Sequence, residues 1–248
     1  MRSSQNSTIE AISISPGRLL KILLGIDAGL IAANLIGCAS VYLLDGGGVS
    51  PLAWRFIFEA ESSLPTWYSS IQLLTCAILL FSIGLESRRL RQVDFRHWWG
   101  LSAMFAYISI DEVATFRETL AELSKAYVET SGLFYSNWVI VAIPAVALLA
   151  LLYAKFLIRL PRPIGFLSLL SGGLFVAGGL GFEMIGALFQ SNAGFRDLSE
   201  APAKIKGVYA LISTMEESLE IVGVTVFLYA LLSYVKLKNF VALKANIL

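Results

Sequence analysis

One histidine, His97, and two cysteines, Cys38 and Cys76, are all the imidazole and thiol ligands that this 248-residue chain offers. That scarcity argues against a zinc site. Because both cysteines lie inside apolar runs, it also excludes a secreted disulfide framework. Charge is sparse as well. Asp, Glu, Lys and Arg make up 15% of the residues, and nineteen basic side chains against eighteen acidic ones give a net charge of +1. The electrostatic footprint of a nucleic-acid binder is therefore missing. So are low-complexity tracts, Gly-rich phosphate loops, nucleophile elbows and paired Glu-x-x-His motifs. The polar start, MRSSQNSTIEAISISPGR, has no secretory h-region or cleavage site, which leaves targeting to the first apolar helix.

Apolar residues make up 56% of the chain, and the mean hydropathy is +0.72. The charges fall in clusters separated by runs of about twenty apolar residues, the length that crosses a hydrocarbon core. Six such runs, near 19–45, 66–85, 98–122, 132–158, 164–190 and 208–235, predict an all-α integral membrane protein. Its six transmembrane helices form one bundle over 19–235, between tails at 1–18 and 236–248. Ser62 or Ser63 caps the second helix and Pro65 enters its first turn, while Gly46, Gly47 and Gly48 favour a turn after the first. Trp67, Tyr68, Trp98 and Trp99 read as interfacial aromatics, and His97 reads as a surface residue of a basic loop. Thirteen Lys and Arg fall on the side of both termini and six on the other, which predicts cytoplasmic termini in the inner (plasma) membrane. In the fifth run Gly173, Ala177 and Gly181 form small-xxx-small steps for close helix contact, and Pro144 should kink the fourth.

The acids inside the runs are the informative residues. The third carries Asp111, Glu112 and Glu118, the fifth Glu183, and the sixth Glu216, Glu217 and Glu220. An acid facing lipid at mid-helix costs about 2.5–3.5 kcal/mol, so these side chains are expected to face one another, water or a cation. At about 100° per residue, Ser213, Glu216, Glu217 and Glu220 share one helix face, and Asp111, Thr115 and Glu118 share another with Glu112 on its shoulder. Opposite helix directions bring Asp111 and Glu216 to similar depth, which predicts an acidic cavity opening outward. Arg117 tunes it, and Glu61, Ser69, Ser70, Thr115 and Ser213 line it. Asp27, in the first run, is a lone acid that can cap or pair with Lys21. Oxygen-only ligation at Asp111, Glu112, Glu216 and Glu220 suits a hard divalent cation such as Mg²⁺, Ca²⁺ or Mn²⁺, and no other cofactor is implied. Ser109-Ile110-Asp111-Glu112 and Thr214-Met215-Glu216-Glu217 echo each other in the last helix of each half, as a 3+3 inverted repeat would require.

The stretch EAESSLPTWYSSIQLL followed by SIDEVATFRE resembles a group of uncharacterised bacterial multi-pass membrane proteins. In that group a Glu…Leu-Pro-Thr-Trp…Ser-Ser entry precedes a Ser-x-Asp-Glu…His-Glu helix. The resemblance covers about the first half of the chain. It points to Glu61, Pro65, Trp67, Ser69 and Ser70, then Asp111, Glu112 and Glu118, and it departs at Arg117, where the group has histidine. It implies no activity. Alkaline ceramidases, with a Ser, an Asp and several His around zinc, match Ser109 and Asp111 but not the histidines.

Three functions fit these residues. One is cation- or proton-linked transport or channel-like activity, with a small ion on the carboxylates. Another is a metal-dependent membrane enzyme acting on a lipid-like ligand. The third is an accessory subunit whose acids meet a partner membrane subunit. The lipid bilayer is a partner in all three.

Overall fold

A computed structural model describes residues 15–42, 51–58, 60, 63–116, 119, 130–195 and 200–238. The predicted site residues Glu61, Arg117 and Glu118, the possible cap Ser62 and the glycine turn at 46–48 lie outside these segments. Every regular element among the described residues is helical: α1 (Pro16–Tyr42), a short α2 (Pro51–Trp54), α3 (Leu64–Arg89), α4 (Phe95–Ala114), α5 (Trp138–Arg159), α6 (Arg162–Ala193) and α7 (Ala203–Leu237). A single 3₁₀ turn, Gly132–Phe134, precedes α5.

Helices α1, α3, α5, α6 and α7 are long and apolar enough to cross a membrane. The expected third span is not among these five. Arg96, His97, Asp111 and Glu112 dilute the apolar character of α4, and it is shorter than its sequence suggested. The helix stops at Ala114 because Thr115 takes left-handed backbone angles (φ 51°), and its N–H closes onto the Asp111 carbonyl at 2.8 Å. α4 nevertheless lies antiparallel along α3. Ser70 and Ser109 each donate a hydroxyl to the other's carbonyl at 2.8 Å, and Ser102 donates to the Ala77 carbonyl, also at 2.8 Å. At the far end Gly84 leaves room for the Trp99 indole. The α3 start follows its sequence signal: Ser63 is extended, its hydroxyl accepts the Thr66 N–H at 3.2 Å, and Pro65 sits in the first turn.

The main core lies toward the basic loops. Leu80, Ile83, Trp98, Phe156, Leu231 and Val235 are buried there together. Trp98 is thus a core residue and not an interfacial one. Its ring meets Phe156 edge-on at 4.8 Å, and His97 stacks on the same ring at 5.1 Å. His97 is therefore half packed into an aromatic cluster rather than a bare loop residue. Arg159 reaches Asp94 at 2.9 Å and ties the end of α5 to the start of α4. Trp67 stays exposed, as an interfacial residue should.

The small residues that seat α6 on α7 are not the predicted set. Nothing lies near a Cβ built on Gly173 or Gly181. The contact is made at Gly178, where such a carbon would sit 2.6 Å from the Glu216 carbonyl, and at Gly223, where it would sit 3.0 Å from the Ser171 carbonyl. The contact face of α6 runs through Ser171, Phe175 and Gly178 at ordinary helical spacing, which leaves Gly173 on another face, and a π-helical turn over Ala177–Phe182 shifts the register after it. The two echo segments also differ in setting: Asp111 is near the end of α4, whereas Glu216 lies well inside the 35-residue α7.

Candidate functional site

α7 is the central helix, and its two sides differ. On one side α6 crosses it so closely that Gly178 meets the backbone at Glu216 and Gly179 meets the Glu220 side chain. α5 stands beyond α6. It is buried only at Val139 and Phe156, near its two ends, and between those anchors it leaves a gap to α4. The gap is a cavity of about 680 Å³. Met104, Tyr107 and Ile108 of α4, Ile140, Val141 and Ala145 of α5, and Phe175, Val176 and Leu180 of α6 make its walls almost wholly apolar. Asp111 and Glu112 from α4 and Glu220 from α7 are also among its lining residues, with Asn137 and Trp138.

Three of the seven predicted acids therefore line one cavity. Glu183 is placed elsewhere, held at 3.2 Å by the Trp138 indole N–H. Glu216 and Glu217 are half-buried on α7 and are not part of the cavity lining. Nor are Ser69, Ser70, Thr115 and Ser213: Ser70 is spent on the α3–α4 clasp, and Thr115 is the residue that ends α4. Among the described residues no group of three His, Cys, Asp or Glu side chains is placed to hold a metal ion.

The cavity walls share a property that the sequence only partly signals. Each of the three helices around it carries a helix-disturbing feature: α4 breaks at Thr115, α5 contains Pro144, and α6 carries the π turn. Pro144 removes one helical N–H and frees the carbonyl four residues earlier, at Ile140, which lines the cavity. A β-branched residue at positive φ costs about 1–3 kcal/mol and persists only where its surroundings hold it. Helix breaks of this kind are tolerated at membrane depth where they face a cavity or other protein.

The other side of α7 is closed and holds polar groups whose pairing is long-range in sequence. Asp27, Asn34 and Cys38 form one stripe of α1, spaced by seven and four residues, and all three are buried. Asn34 donates to the Thr214 hydroxyl at 2.7 Å and accepts the Phe58 backbone N–H at 3.0 Å, which fixes the segment after α2 against α1 and α7. Asp27 does not pair with Lys21. Its two oxygens accept from the Tyr68 hydroxyl at 2.7 Å and the Thr225 hydroxyl at 2.8 Å. The Gln72 amide nitrogen donates to both of those hydroxyls, at 2.8 Å each. Neither Asn34 nor Gln72 stands out among the acids in the sequence. The seven-residue spacing of Asp27 and Asn34 is the one signal that could have found this stripe.

Fold and cavity together define a multi-pass helical protein suited to a membrane, with a carboxylate-bearing apolar cavity on one side of its central helix. The chain belongs to the family described as Domain of unknown function (DUF8692), whose model matches residues 22–235. No curated protein and no solved structure matches it.

Proposed function

We propose that this protein is a cation- or proton-linked membrane carrier whose cargo is an amphiphilic cation. One observation supports the reading: Asp111, Glu112 and Glu220 line one cavity whose other walls are mostly apolar. A volume of about 680 Å³ lies within the roughly 300–1,000 Å³ of small-molecule sites. Apolar walls favour an alkyl or aryl body, the carboxylates favour a positive head, and Tyr107 and Trp138 supply aromatic faces for the same cation. The left-handed end of α4, Pro144 in α5 and the π turn of α6 supply places where the walls can bend as cargo enters and leaves. The charge asymmetry of the loops supports cytoplasmic termini, with α4 entering the membrane from the inside.

Tetraphenylphosphonium, an apolar cation, is a suitable probe. The full-length protein in detergent should bind it, and proteoliposomes should accumulate it in response to a pH gradient. Asp111→Asn and Glu220→Gln should each weaken binding at least tenfold and abolish gradient-driven uptake. Binding that is unchanged in both variants would remove the carboxylate cavity from the function.

A further inference from the structure

The start of α5 is pinned to α6. Trp138 is the first residue of α5 and is half-buried, with the fully buried Val139 after it. Its indole N–H donates to Glu183 Oε1 at 3.2 Å. About two turns further along α6, the Ser191 hydroxyl accepts the Gly132 N–H at 2.9 Å. Glu183 follows directly on the π turn, and inside that turn a Cβ on Gly179 would collide with Glu220 Oε1. One backbone irregularity therefore seats both Glu220 and the support of Trp138. Trp138 and Glu220 line the cavity, whereas Glu183 does not, so Glu183 acts on a bound molecule through the indole.

The hydrogen bond has a chemical consequence. With its only donor spent on Glu183, the indole side chain has no hydrogen bond to give to cargo, and what remains is its ring. An N–H donated to a carboxylate polarises that ring toward greater negative charge, which strengthens its attraction for a cation. Two kinds of positive head then fare differently. A primary ammonium is compact, strongly hydrated and carries three N–H donors that must find acceptors when water is removed. A quaternary onium has no N–H and spreads its charge over carbon groups that pack on aromatic and aliphatic walls. The carboxylates attract both heads, while the walls favour the second.

We infer that the cavity selects quaternary onium heads, ammonium or phosphonium, over primary ammonium, with Trp138 as the selecting residue and Glu183 as the positioning residue that holds it. The inference rests on the carrier reading of the cavity and adds the class of head group to it.

The test is calorimetric titration of the full-length protein in lipid nanodiscs at about pH 7, where both heads are charged, with empty nanodiscs subtracted. The probes share one tail: hexyltrimethylammonium and hexylammonium. The wild type should bind the first about tenfold more tightly, in line with a desolvated cation–π contact. Trp138→Leu should bring the ratio to about one, and Trp138→Phe should leave it between. Glu183→Leu should lower the ratio several-fold, whereas Glu183→Gln, still an acceptor for the indole N–H, should keep most of it. This pair keeps the test open if the Trp138 variants do not assemble. A merely structural Trp138 would change both affinities together and leave their ratio alone. Asp111→Asn and Glu220→Gln should weaken both probes alike. A wild-type ratio near one, or a ratio unchanged in Trp138→Leu or Glu183→Leu, overturns the inference and leaves the carrier reading standing if both affinities still depend on Asp111 and Glu220. Binding of neither probe, or binding indifferent to Asp111→Asn and Glu220→Gln, overturns the carrier reading and this inference with it.

Discussion

Helices α1, α3 and α7 are continuous and meet through closed polar nodes, whereas α4 ends at a left-handed residue, α5 contains a proline and α6 a π turn, and these three enclose a cavity. The first trio spends its polar side chains on one another: Asn34 with Thr214, and Asp27 with Tyr68, Gln72 and Thr225. The second brings Asp111 and Glu112, with Glu220 of α7, to an apolar void. Inside a bilayer both arrangements bury polar groups at a cost, and the difference lies in what offsets it. In the first trio the partners are built in, which fixes register. In the second, the cavity admits a ligand as a further partner, and the backbone breaks let the walls move. α7 belongs to both groups, and the Ser70–Ser109 clasp between α3 and α4 joins them a second time.

The sharpest way to break this division is at the helix contact that joins the two groups. Gly178→Val pushes a side chain into the α7 backbone at the Glu216 carbonyl, and helix backbones cannot yield as a flexible side chain does. The expected loss is about 3 kcal/mol or more, seen as failure to purify or a sharply lowered thermal melt in detergent. Gly173→Val, five residues earlier on a face with nothing near it, should melt like the parent. Equal melts for the two variants would mean that the contact is not where α6 and α7 join.

The closed trio comes next. Asn34→Leu leaves the Phe58 N–H without an acceptor, and Thr225→Val removes one hydrogen bond to a carboxylate. Each should lower stability by about 1–3 kcal/mol. Asn34→Leu should also loosen the segment after α2, which limited proteolysis near Phe58 would report. A melt unchanged in both would show that the seam is held by packing alone.

Much of this contrast is legible in the sequence, but unevenly. Length and hydropathy locate the long helices, and Ser63 with Pro65 marks the start of α3. Acids that are costly in lipid identify Asp111, Glu112 and Glu220. What a periodic reading cannot see is a change of period. The π turn at Ala177–Phe182 shifts the register of α6 after the Gly178 contact, and the left-handed Thr115 ends α4 well before the hydrophobic pattern does. Asp27 looks solitary in the sequence because its partners are forty-one and 198 residues away. Trp98 looks interfacial because a tryptophan beside a basic loop has the same local signature whether it faces lipid or the core.

The cavity acids should affect stability less than the closed nodes do. Asp111→Asn and Glu220→Gln keep shape and relieve repulsion between like charges, so each should melt at or above the parent while losing tetraphenylphosphonium binding. A fall equivalent to about 3–5 kcal/mol, the cost of stranding a buried partner charge, would instead make these acids structural.

The smallest stability effect is expected at Pro144, where it tests whether the cavity depends on an irregular wall. Pro144 is exposed, and α5 is buried only near its ends, so little packing opposes a change at its middle. Pro144→Ala restores the N–H that the Ile140 carbonyl lacks and adds helix propensity, while it removes the bend that proline favours. These contributions nearly offset in a helix anchored at Val139 and Phe156, and the melt should stay within about 0.5 kcal/mol of the parent. Ile140 and Val141 line the cavity on one side of the proline, so a straighter α5 moves that wall relative to α4 and α6. Tetraphenylphosphonium affinity should then fall several-fold with no change in stability, the reverse of the Asn34→Leu pattern. Unchanged affinity would show that the α5 wall is rigid without its proline, and the bending of the irregular trio would rest on Thr115 and the π turn of α6.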